Sequence, residues 1–298
     1  MLKFAGFIMT FERTSILEET IGKLFSQTVT PEKILIVDNS FSNETQELIV
    51  KLNHPKVVYH RVGYNSGPAG AAAIGLKILS DEGYDWIYWG DDDDPPYFDD
   101  TFEKLLKVAN SDPDCGCVGS VGQFLNRKTG FINRVPDAIL DVEGILEVDT
   151  ISGNQSKIIS GAMISKCEIF PTEKLFFGFE ELEYDLQIKE AGYKLLIDKT
   201  FFRKHRILFN RVGVIKKKIE IKTNSKLQRE YYSTRNILYV FYKYKLRIAF
   251  VSILLYSFLK QFLRFKQGFR AGNDGFKVTF LAVFHFFTSQ FGFKKIKF

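Results

Sequence analysis

Short apolar segments alternate with helix-like segments through the first 90 residues of this 298-residue chain. The predicted strands are 4–9, 33–37, 57–60 and 85–90, and the predicted helices between them are 15–26, 45–52 and 67–79. A capping box formed by Ser15 and Glu18 marks the start of the first helix. Strands that alternate with helices build a parallel sheet. The sequence therefore predicts an α/β fold, Rossmann-like, with a mostly parallel central sheet flanked by helices.

The pattern becomes weaker in the second half of the chain. Residues 115–160 scatter Gly and Asn among short apolar pieces, which favours an irregular segment and a mixed, partly antiparallel sheet. A helix over 182–191, ended by Gly192, and a strand over 194–197 follow. The last predicted helices are 226–244, 246–265 and 277–291.

The two parts of the chain differ strongly in charge. Residues 201–298 carry 22 lysines and arginines against 3 aspartates and glutamates, whereas residues 1–200 carry 19 against 32. We therefore expect an α/β domain over residues 1–210 and a basic, aromatic helical region over residues 211–298. Such a region favours an anionic partner, either phospholipid or nucleic acid. Because 17 of the 30 phenylalanines lie after residue 200, we predict lipid and expect no nucleic-acid partner.

Two apolar segments in the basic region are too short to cross a membrane. Residues 248–259 and 280–293 are bounded by basic residues and fall short of the roughly 20 residues of a spanning helix. Such segments are typical of helices that lie on an anionic membrane surface. An oligomer interface made by the same helices is the alternative, because exposed aromatic patches also mark partner surfaces.

Cysteine usage and the start of the chain concern its compartment. The three cysteines, Cys115, Cys117 and Cys167, form an odd set, and the chain passes into its first strand without an apolar leader. Both features favour a reducing cytosol. We therefore expect a cytoplasmic protein that is peripheral on the inner face of the cell membrane.

Four consecutive aspartates, Asp91 to Asp94, follow the fourth predicted strand and precede two prolines. Carboxyl ends of strands are where α/β sheets bind ligands. Crowded carboxylates repel one another, and a bound Mg²⁺ or Mn²⁺ relieves this repulsion because both ions accept oxygen ligands. The tetrad therefore predicts a site for a metal ion and a diphosphate. The alternative is a solvated loop, since blocks of like charge are usually exposed.

Three further motifs accompany the tetrad. Asp38 follows the second strand, the segment Asn65-Ser66-Gly67-Pro68-Ala69-Gly70 follows the third, and Glu180-Glu181 opens a later helix. With these motifs in this order and spacing, the chain resembles the family 2 glycosyltransferases of GT-A fold over residues 3–206. Within that family it looks most similar to the galactofuranosyl and rhamnosyl transferases of bacterial surface polysaccharides.

The resemblance implies a metal site built on the tetrad. It places the family's DxD motif on Asp91, Asp92 and Asp93, with Asp91 and Asp93 as metal ligands and Asp92 among the cofactor-binding residues. A shift of this frame by one residue is the alternative. His205 would complete the shell of a Mn²⁺ or Mg²⁺ ion that neutralises the departing nucleotide. From its basic neighbours alone, His205 is instead a surface residue.

The resemblance also implies a general base. Glu181 matches the base position, and Glu180 is its rival. An acceptor hydroxyl needs such a base, because an alcohol is a poor nucleophile until its proton is removed. One base without a partner nucleophile implies inversion at the anomeric carbon. The alternative is a helix N-terminus enriched in acids that complement the helix dipole.

The nucleotide would lie at the ends of the first three strands. The residues implied to bind it are Thr10, Glu12, Arg13, Asp38, Asn65, Gly67 and Gly70. Asp38 would accept a hydrogen bond from the pyrimidine ring, and free backbone amides of the 65–70 loop would bind the phosphate or ribose. Ordinary turn formation is the alternative for both.

Together these features predict an inverting, metal-dependent glycosyltransferase. We expect UDP-galactofuranose as the first donor and a dTDP-rhamnose donor as the second, with a lipid-linked glycan or a cell-surface polysaccharide as acceptor. A sugar nucleotidyltransferase is one alternative, although the glycine-rich, basic first loop of that class is missing here. A membrane-bound scaffold with a vestigial nucleotide site is the other.

Overall fold

The computed structural model describes residues 2–151, 156–214 and 224–296. Its strands are β1 Phe4–Thr10, β2 Ile34–Asp38, β3 Val57–Arg61, β4 Trp86–Asp91, β5 Cys115–Gly119, β6 Gln123–Leu125, β7 Ile132–Arg134, β8 Ile145–Glu147, β9 Lys157–Ser160 and β10 Lys194–Asp198. Its helices are α1 Thr14–Phe25, α2 Glu44–Leu52, α3 Gly67–Asp81, α4 Thr101–Ala109, α5 Asp137–Leu140, α6 Gly161–Cys167, α7 Glu180–Glu190, α8 Lys199–Leu208, α9 Asn224–Lys243, α10 Arg247–Arg264 and α11 Phe269–Phe287. Residues 215–223, which belong to the predicted basic region, lie outside the described residues.

Eight of the described strands form one mixed sheet, in the order β3-β2-β1-β4-β9-β5-β10-β8. β1 pairs in parallel with β2 and with β4, β2 with β3, and β10 with β5. β9 runs antiparallel to β4 and β5, and β8 runs antiparallel to β10. The predicted mostly parallel sheet is therefore confirmed, and so is the partly antiparallel segment after residue 115.

Both faces of the sheet are covered by helices. On β1, Ala5, Phe7 and Met9 pack in a core with α3, α6 and α7, whereas Phe4 and Ile8 pack in a second core with α1 and α4. All seven residues of β1 are buried as a result. This two-sided burial explains why the strand is continuously apolar instead of alternating.

The predicted capping box at the first helix is wrong. α1 begins at Thr14, its N-cap is Arg13, and no side chain caps it. The amide of Leu17 donates to the carbonyl of Arg13 at 3.1 Å, so the first helical turn starts before Ser15. Glu18 is exposed on this helix instead of returning to its N-terminus.

The sequence pattern places the start of the last helix too late and does not predict α4 or α8. α11 begins at Phe269, before the predicted residue 277. Gly272 and Gly275 lower the helix propensity of this turn. A Cβ on Gly272 would overlap Phe265, and one on Gly275 would overlap Gln261 of α10. Close packing between α10 and α11 therefore requires these glycines and overrides their propensity.

The three C-terminal helices pack against α7. Leu182 and Leu186 of α7 share a core with Leu238 and Phe241 of α9, and α10 and α11 complete this core. No helix among the described residues combines the length and apolarity needed to span a membrane.

A buried amide on α9 fixes the turn that precedes α7. The Nδ2 of Asn236 donates toward the carbonyl oxygens of Leu175, Phe177 and Gly178 at 2.9, 2.9 and 2.8 Å. Asn236 itself is fully buried. The start of α7 is therefore positioned by a helix from the basic region.

Replacing this amide should destabilise the fold. Asn236→Ala leaves buried carbonyls without their donor, and a buried unsatisfied polar group costs about 1–3 kcal/mol. We expect the free energy of unfolding, measured by urea denaturation, to fall by about 3 kcal/mol. Asn110→Ala, at an exposed helix end, is the control and should change it by less than about 0.5 kcal/mol. Equal stability of the two variants would contradict the role given to Asn236.

Candidate active site

β1, β2 and β4 end at the same edge of the sheet. Met9 pairs with Asp91, and Thr10 pairs with Asp38. The carboxyl ends of three neighbouring parallel strands therefore place Thr10, Asp38 and Asp91 side by side. This is the edge at which an α/β sheet holds its ligand.

Asp92 is buried beneath this edge and binds residues of β1 and α1. Its carboxylate accepts a hydrogen bond from the Thr10 hydroxyl at 2.7 Å and forms an ion pair with Arg13 at 2.7 Å. Its carbonyl oxygen accepts a hydrogen bond from the Thr20 hydroxyl at 2.6 Å. Arg13 also reaches the exposed Asp93 at 2.5 Å. Arg13 thus connects two of the four aspartates.

The tetrad is not a solvated loop. Asp92 and Asp94 are 0% and 6% exposed, so only part of the acidic block faces water. The Asp94 carboxylate accepts a hydrogen bond from the Tyr97 hydroxyl at 3.1 Å. Burial of like charges needs compensating contacts. Asp92 has them from Thr10 and Arg13, and Asp94 has one from Tyr97.

Asp91 and Asp94 lie within electrostatic reach of Glu181 on α7. Desolvation, followed by the Glu181 carboxylate, raises the pKa of Asp91 to about 7, while Lys157 opposes this shift. Desolvation also raises the pKa of Asp94 to about 6, against the Tyr97 hydrogen bond and with the Asp93 and Glu181 carboxylates adding to it. Carboxylates from the loop after β4 and from the start of α7 therefore crowd one region.

Lys157 supplies a positive charge to this region, and it is absent from the site residues predicted from the sequence. It is 3% exposed, forms an ion pair with Glu181, and lies 3.9 Å above the ring of Trp89. Burial alone lowers the pKa of a lysine, but the Glu181 and Asp185 carboxylates outweigh burial and raise the pKa of Lys157. The segment 157–160 reads Lys-Ile-Ile-Ser and gives no local signal for this role, because the charges that hold Lys157 come from α7.

Glu180 differs sharply from its neighbour Glu181. Its side chain is buried, and Oε2 has no hydrogen-bond partner among the described residues. Desolvation, followed by the Glu181 carboxylate, raises the pKa of Glu180 to about 8. Glu181 is 26% exposed and holds Lys157. Two adjacent glutamates therefore occupy environments of opposite polarity.

His205 does not join the tetrad. It lies in α8, where its ring packs against Phe98 and Phe201, and its Nδ1–H donates to the Phe201 carbonyl at 3.0 Å. Burial lowers the pKa of His205, so the surface alternative is also wrong. In the part of the chain that the structure describes, no three His, Cys, Asp or Glu side chains converge as ligands of one ion. The predicted set of Asp91, Asp93 and His205 is therefore not assembled, because α8 packs the His205 imidazole against aromatic rings.

Glu12 and Asp38 order the loop that follows β2. Glu12 accepts hydrogen bonds from the Ser42 amide at 3.1 Å and from its hydroxyl at 2.6 Å. Asp38 is fully buried, and its carboxylate accepts from the Ser40 amide at 2.9 Å and the Tyr59 hydroxyl at 2.8 Å. Both acids shape the predicted nucleotide edge through protein contacts. Their contact with a nucleotide stays a prediction.

The loop from Asn65 to Gly70 does not present the free amides that its sequence suggests. Three of its backbone amides donate hydrogen bonds within the protein. The Ser66 amide donates to Asn39 Oδ1 at 3.2 Å, the Gly67 amide to Asn65 Oδ1 at 3.0 Å and the Ala69 amide to the Phe176 carbonyl at 3.2 Å. Gly67 has φ +69°, and a Cβ there would overlap Phe176. The loop therefore packs against the turn that leads into α7, and the prediction of free amides is wrong.

The raised pKa of Glu180 predicts a pH-dependent gain in stability for Glu180→Gln. An unfolded glutamate has a pKa of about 4.3, so between that value and about 8 the folded state retains a proton that the unfolded state has lost. The free energy of unfolding therefore falls as pH rises through this window. We expect the variant to gain up to about 1.4 kcal/mol per pH unit over the parent between pH 6 and 8, measured by urea denaturation.

The exposed Glu190 of the same helix provides a matched position for the control variant. Because surface substitutions usually change stability by less than about 0.5 kcal/mol, Glu190→Gln should stay within that range of the parent. A Glu180→Gln variant that follows the parent at every pH would show that Glu180 is ionised in the folded protein.

Comparison with known proteins places these features in a family. The model of glycosyl transferase family 2 matches residues 7–157, slightly more than half of the chain. The galactofuranosyltransferase GlfT1 of Mycolicibacterium smegmatis is 29% identical over 104 residues. This match covers 35% of the present chain and 34% of that relative, so the chain spans about a third of its length.

Solved structures share the fold across nearly the whole chain. The mannosyltransferase PcManGT of Pyrobaculum calidifontis, in complex with GDP-Man and Mn²⁺, matches with a TM-score of 0.57 at 10% identity, over 97% of this chain and 88% of its own. S. aureus TarS 1-349, in complex with UDP, matches with a TM-score of 0.53 at 14% identity, over 99% and 94%. At these identities the likeness concerns the fold. The family model matches more than half of the present chain, and the chain therefore belongs to glycosyl transferase family 2.

Proposed function

We propose that this protein is an inverting, metal-dependent glycosyltransferase. It transfers a sugar, galactofuranose in the first place and rhamnose in the second, from a UDP or dTDP donor to a hydroxyl of a lipid-linked glycan or a cell-surface polysaccharide. The observation that carries the proposal is that Asp91, at the end of β4, and Glu181, at the start of α7, lie close enough for the Glu181 carboxylate to raise the pKa of Asp91. Membership in the family supports glycosyl transfer, and similarity to a galactofuranosyltransferase supports the donor.

Asp91 and Asp93 are the residues that we assign to a divalent cation, Mn²⁺ or Mg²⁺. Desolvation raises the pKa values of Asp91 and Asp94, and the neighbouring carboxylates add to this rise. A divalent cation removes such crowding and accepts carboxylate oxygens, so the residues present fit the ion. When bound, it would neutralise the charge on the departing diphosphate. The Mn²⁺ and GDP-Man in the structurally similar mannosyltransferase support this assignment.

Glu181 is our candidate for the general base. Its partly exposed carboxylate is held by Lys157, whereas Glu180 is buried and has a pKa of about 8. In the reaction, the acceptor oxygen bonds to the anomeric carbon while the bond to the diphosphate breaks, and the hydroxyl proton passes to Glu181. Lys157 would fix the position of this carboxylate without contacting the sugar. A protonated Glu180 cannot take the proton, which favours Glu181 over its rival.

The exposed face of α10 supports a peripheral position on an anionic membrane. Five apolar side chains spaced by three or four residues lie on this face and are each more than half exposed: Ile248, Val251, Leu255, Leu259 and Phe262. Positions with this spacing lie on one side of a helix. The surrounding basic region would bind lipid headgroups while this face enters the acyl boundary. The enzyme would then lie on the cytoplasmic side of the cell membrane.

Donor turnover tests the proposed chemistry. The full chain, incubated with UDP-galactofuranose or dTDP-rhamnose, should release UDP or dTDP only when Mn²⁺ or Mg²⁺ is present, with water replacing the acceptor. Because general base catalysis contributes about 10²–10⁴-fold, Glu181→Gln should slow release at least about 100-fold, and Asp91→Asn should do so by weakening the metal site. Asp99→Asn, at an exposed aspartate after the tetrad, should retain the parental rate.

The same assay separates the alternatives. A sugar nucleotidyltransferase would instead release inorganic diphosphate from a nucleoside triphosphate and a sugar phosphate. A scaffold would show thermal stabilisation by nucleotides without turnover, since a ligand bound only to the native state raises its stability. Turnover at the parental rate by both Asp91→Asn and Glu181→Gln would refute the proposed site.

Vesicle binding tests the proposed membrane surface. The chain should sediment with vesicles that contain phosphatidylglycerol and not with phosphatidylcholine vesicles, and added salt should release it because electrostatic attraction is screened. Leu259→Glu should weaken sedimentation, whereas Val50→Glu, at an equally exposed apolar residue of α2, should not. Absence of sedimentation together with a concentration-dependent dimer in analytical ultracentrifugation would assign the α10 face to a homo-oligomer instead.

A further inference from the structure

A cavity of about 510 Å³ lies between α9, α10 and the hairpin of β6 and β7. Its volume falls within the range of about 300–1,000 Å³ that is usual for small-molecule sites. Most of its wall is apolar, and the main contributors are Phe131, Phe179, Ile237, Ile253 and Tyr256. The cavity therefore suits a ligand with a hydrocarbon part.

The rim of this cavity carries an excess of positive charge. Lys226, Arg229 and Lys260 line it together with one acid, Glu230. Glu230 is already engaged, because its carboxylate forms ion pairs with Lys260 at 2.9 Å and with Arg264 at 2.7 Å. Arg229 is exposed, and its guanidinium lies 5.7 Å from the centre of the Phe177 ring. The rim is therefore complementary to an anionic group such as a phosphate.

The cavity reaches the residue that precedes the two glutamates at the start of α7. Phe179 lines the cavity and is the N-cap of α7, with φ +68°. Glu180 and Glu181 follow it directly. Ser233, on the α9 side of the cavity, lies opposite Gly178 in the same turn. A molecule anchored in the cavity would thus place its polar end beside the start of α7.

The cavity also opens next to the exposed face of α10. Tyr256 lines the cavity and is 46% exposed on that helix. Phe131 from the hairpin is 39% exposed and packs edge-on against Tyr256, with ring centres 5.0 Å apart. An apolar chain that leaves the cavity would therefore continue along the apolar surface of α10.

We propose that this cavity binds the lipid phosphate part of the acceptor, an amphiphile in which a phosphate or diphosphate joins a prenyl or alkyl chain to the glycan. The phosphate binds the cationic rim, and the first part of the chain fills the apolar cavity. The inference rests on the proposed function, because it specifies the acceptor class for the same active site. Among the two acceptor classes considered above, it selects the lipid-linked glycan.

Calorimetric titration of the full chain tests this inference, with farnesyl phosphate as the probe. The titration contains EDTA and no sugar nucleotide, so that the metal and donor sites play no part. We expect farnesyl phosphate to bind at least tenfold more tightly than farnesol or inorganic phosphate, because only the amphiphile satisfies both the apolar wall and the cationic rim.

Two variants locate the binding. Ser233→Phe fills the cavity and should weaken farnesyl phosphate at least tenfold, while leaving the exposed face of α10 unchanged. Arg229→Gln removes one rim charge at an exposed position, where folding is not at risk, and should weaken it at least fivefold. Arg270→Gln removes another exposed arginine, which lies outside the cavity, and should have no effect.

Several results would overturn the inference. Parental affinity in both Ser233→Phe and Arg229→Gln would place the amphiphile elsewhere, and equal affinity for inorganic phosphate would indicate a site for the free anion. Absence of farnesyl phosphate binding, with donor turnover intact, would refute this inference and leave the proposed function standing. Binding without any donor turnover would refute the proposed function instead.

Discussion

The ion pair between Lys157 and Glu181 connects the two halves of the candidate active site. Lys157 is buried against the face of the Trp89 ring. A lysine that is removed from water needs carboxylates beside it. Glu181 and Asp185 of α7 supply the negative charge beside Lys157. β9 and α7 are therefore held together near the end of β4, where Asp91 lies. Loss of Lys157 would remove the positive charge that the Glu181 and Asp185 carboxylates share, and breaking such a buried pair costs about 3–5 kcal/mol. The packing of α7 on the sheet therefore depends on the same charges as the proposed chemistry.

The turn before α7 is held from two sides. Arg235 and Asn236 of α9 donate to the carbonyl of Leu175 at 3.1 and 2.9 Å. From the other side, the Ala69 amide of the loop before α3 donates to the carbonyl of Phe176 at 3.2 Å. The proposed base thus follows a segment that contacts both the predicted nucleotide loop and the C-terminal helices. The basic region is therefore part of the active-site framework as well as a candidate membrane surface.

Sequence patterns predicted the elements whose signals are local. β1 to β4 and α1 to α3 lie within two residues of their predicted ranges, because periodicity and turn residues are determined by near neighbours. Other features depend on distant contacts. Lys157 is an ordinary polar residue until β4 brings Trp89 beside it. The Ala69 amide is free until the Phe176 carbonyl accepts its hydrogen bond, and His205 is a plausible ligand until Phe98 and α8 enclose its imidazole. Such contacts leave no trace in local patterns.

The acidic tetrad illustrates how adjacent identical residues acquire different chemistry. Asp92 and Asp94 are buried and accept hydrogen bonds from neighbouring side chains, so their carboxylates stabilise the conformation of the loop. Asp91 instead faces Glu181, and desolvation together with that carboxylate raises the pKa of Asp91 to about 7. Without a cation, ionising Asp91 costs stability, because the unfolded chain loses the same proton at lower pH. A bound cation would relieve this repulsion, since it would add positive charge to that of Arg13 and Lys157. Folding a block of aspartates against the acidic start of α7 therefore brings carboxylates from two distant segments into one region, and the proposed metal site uses this arrangement.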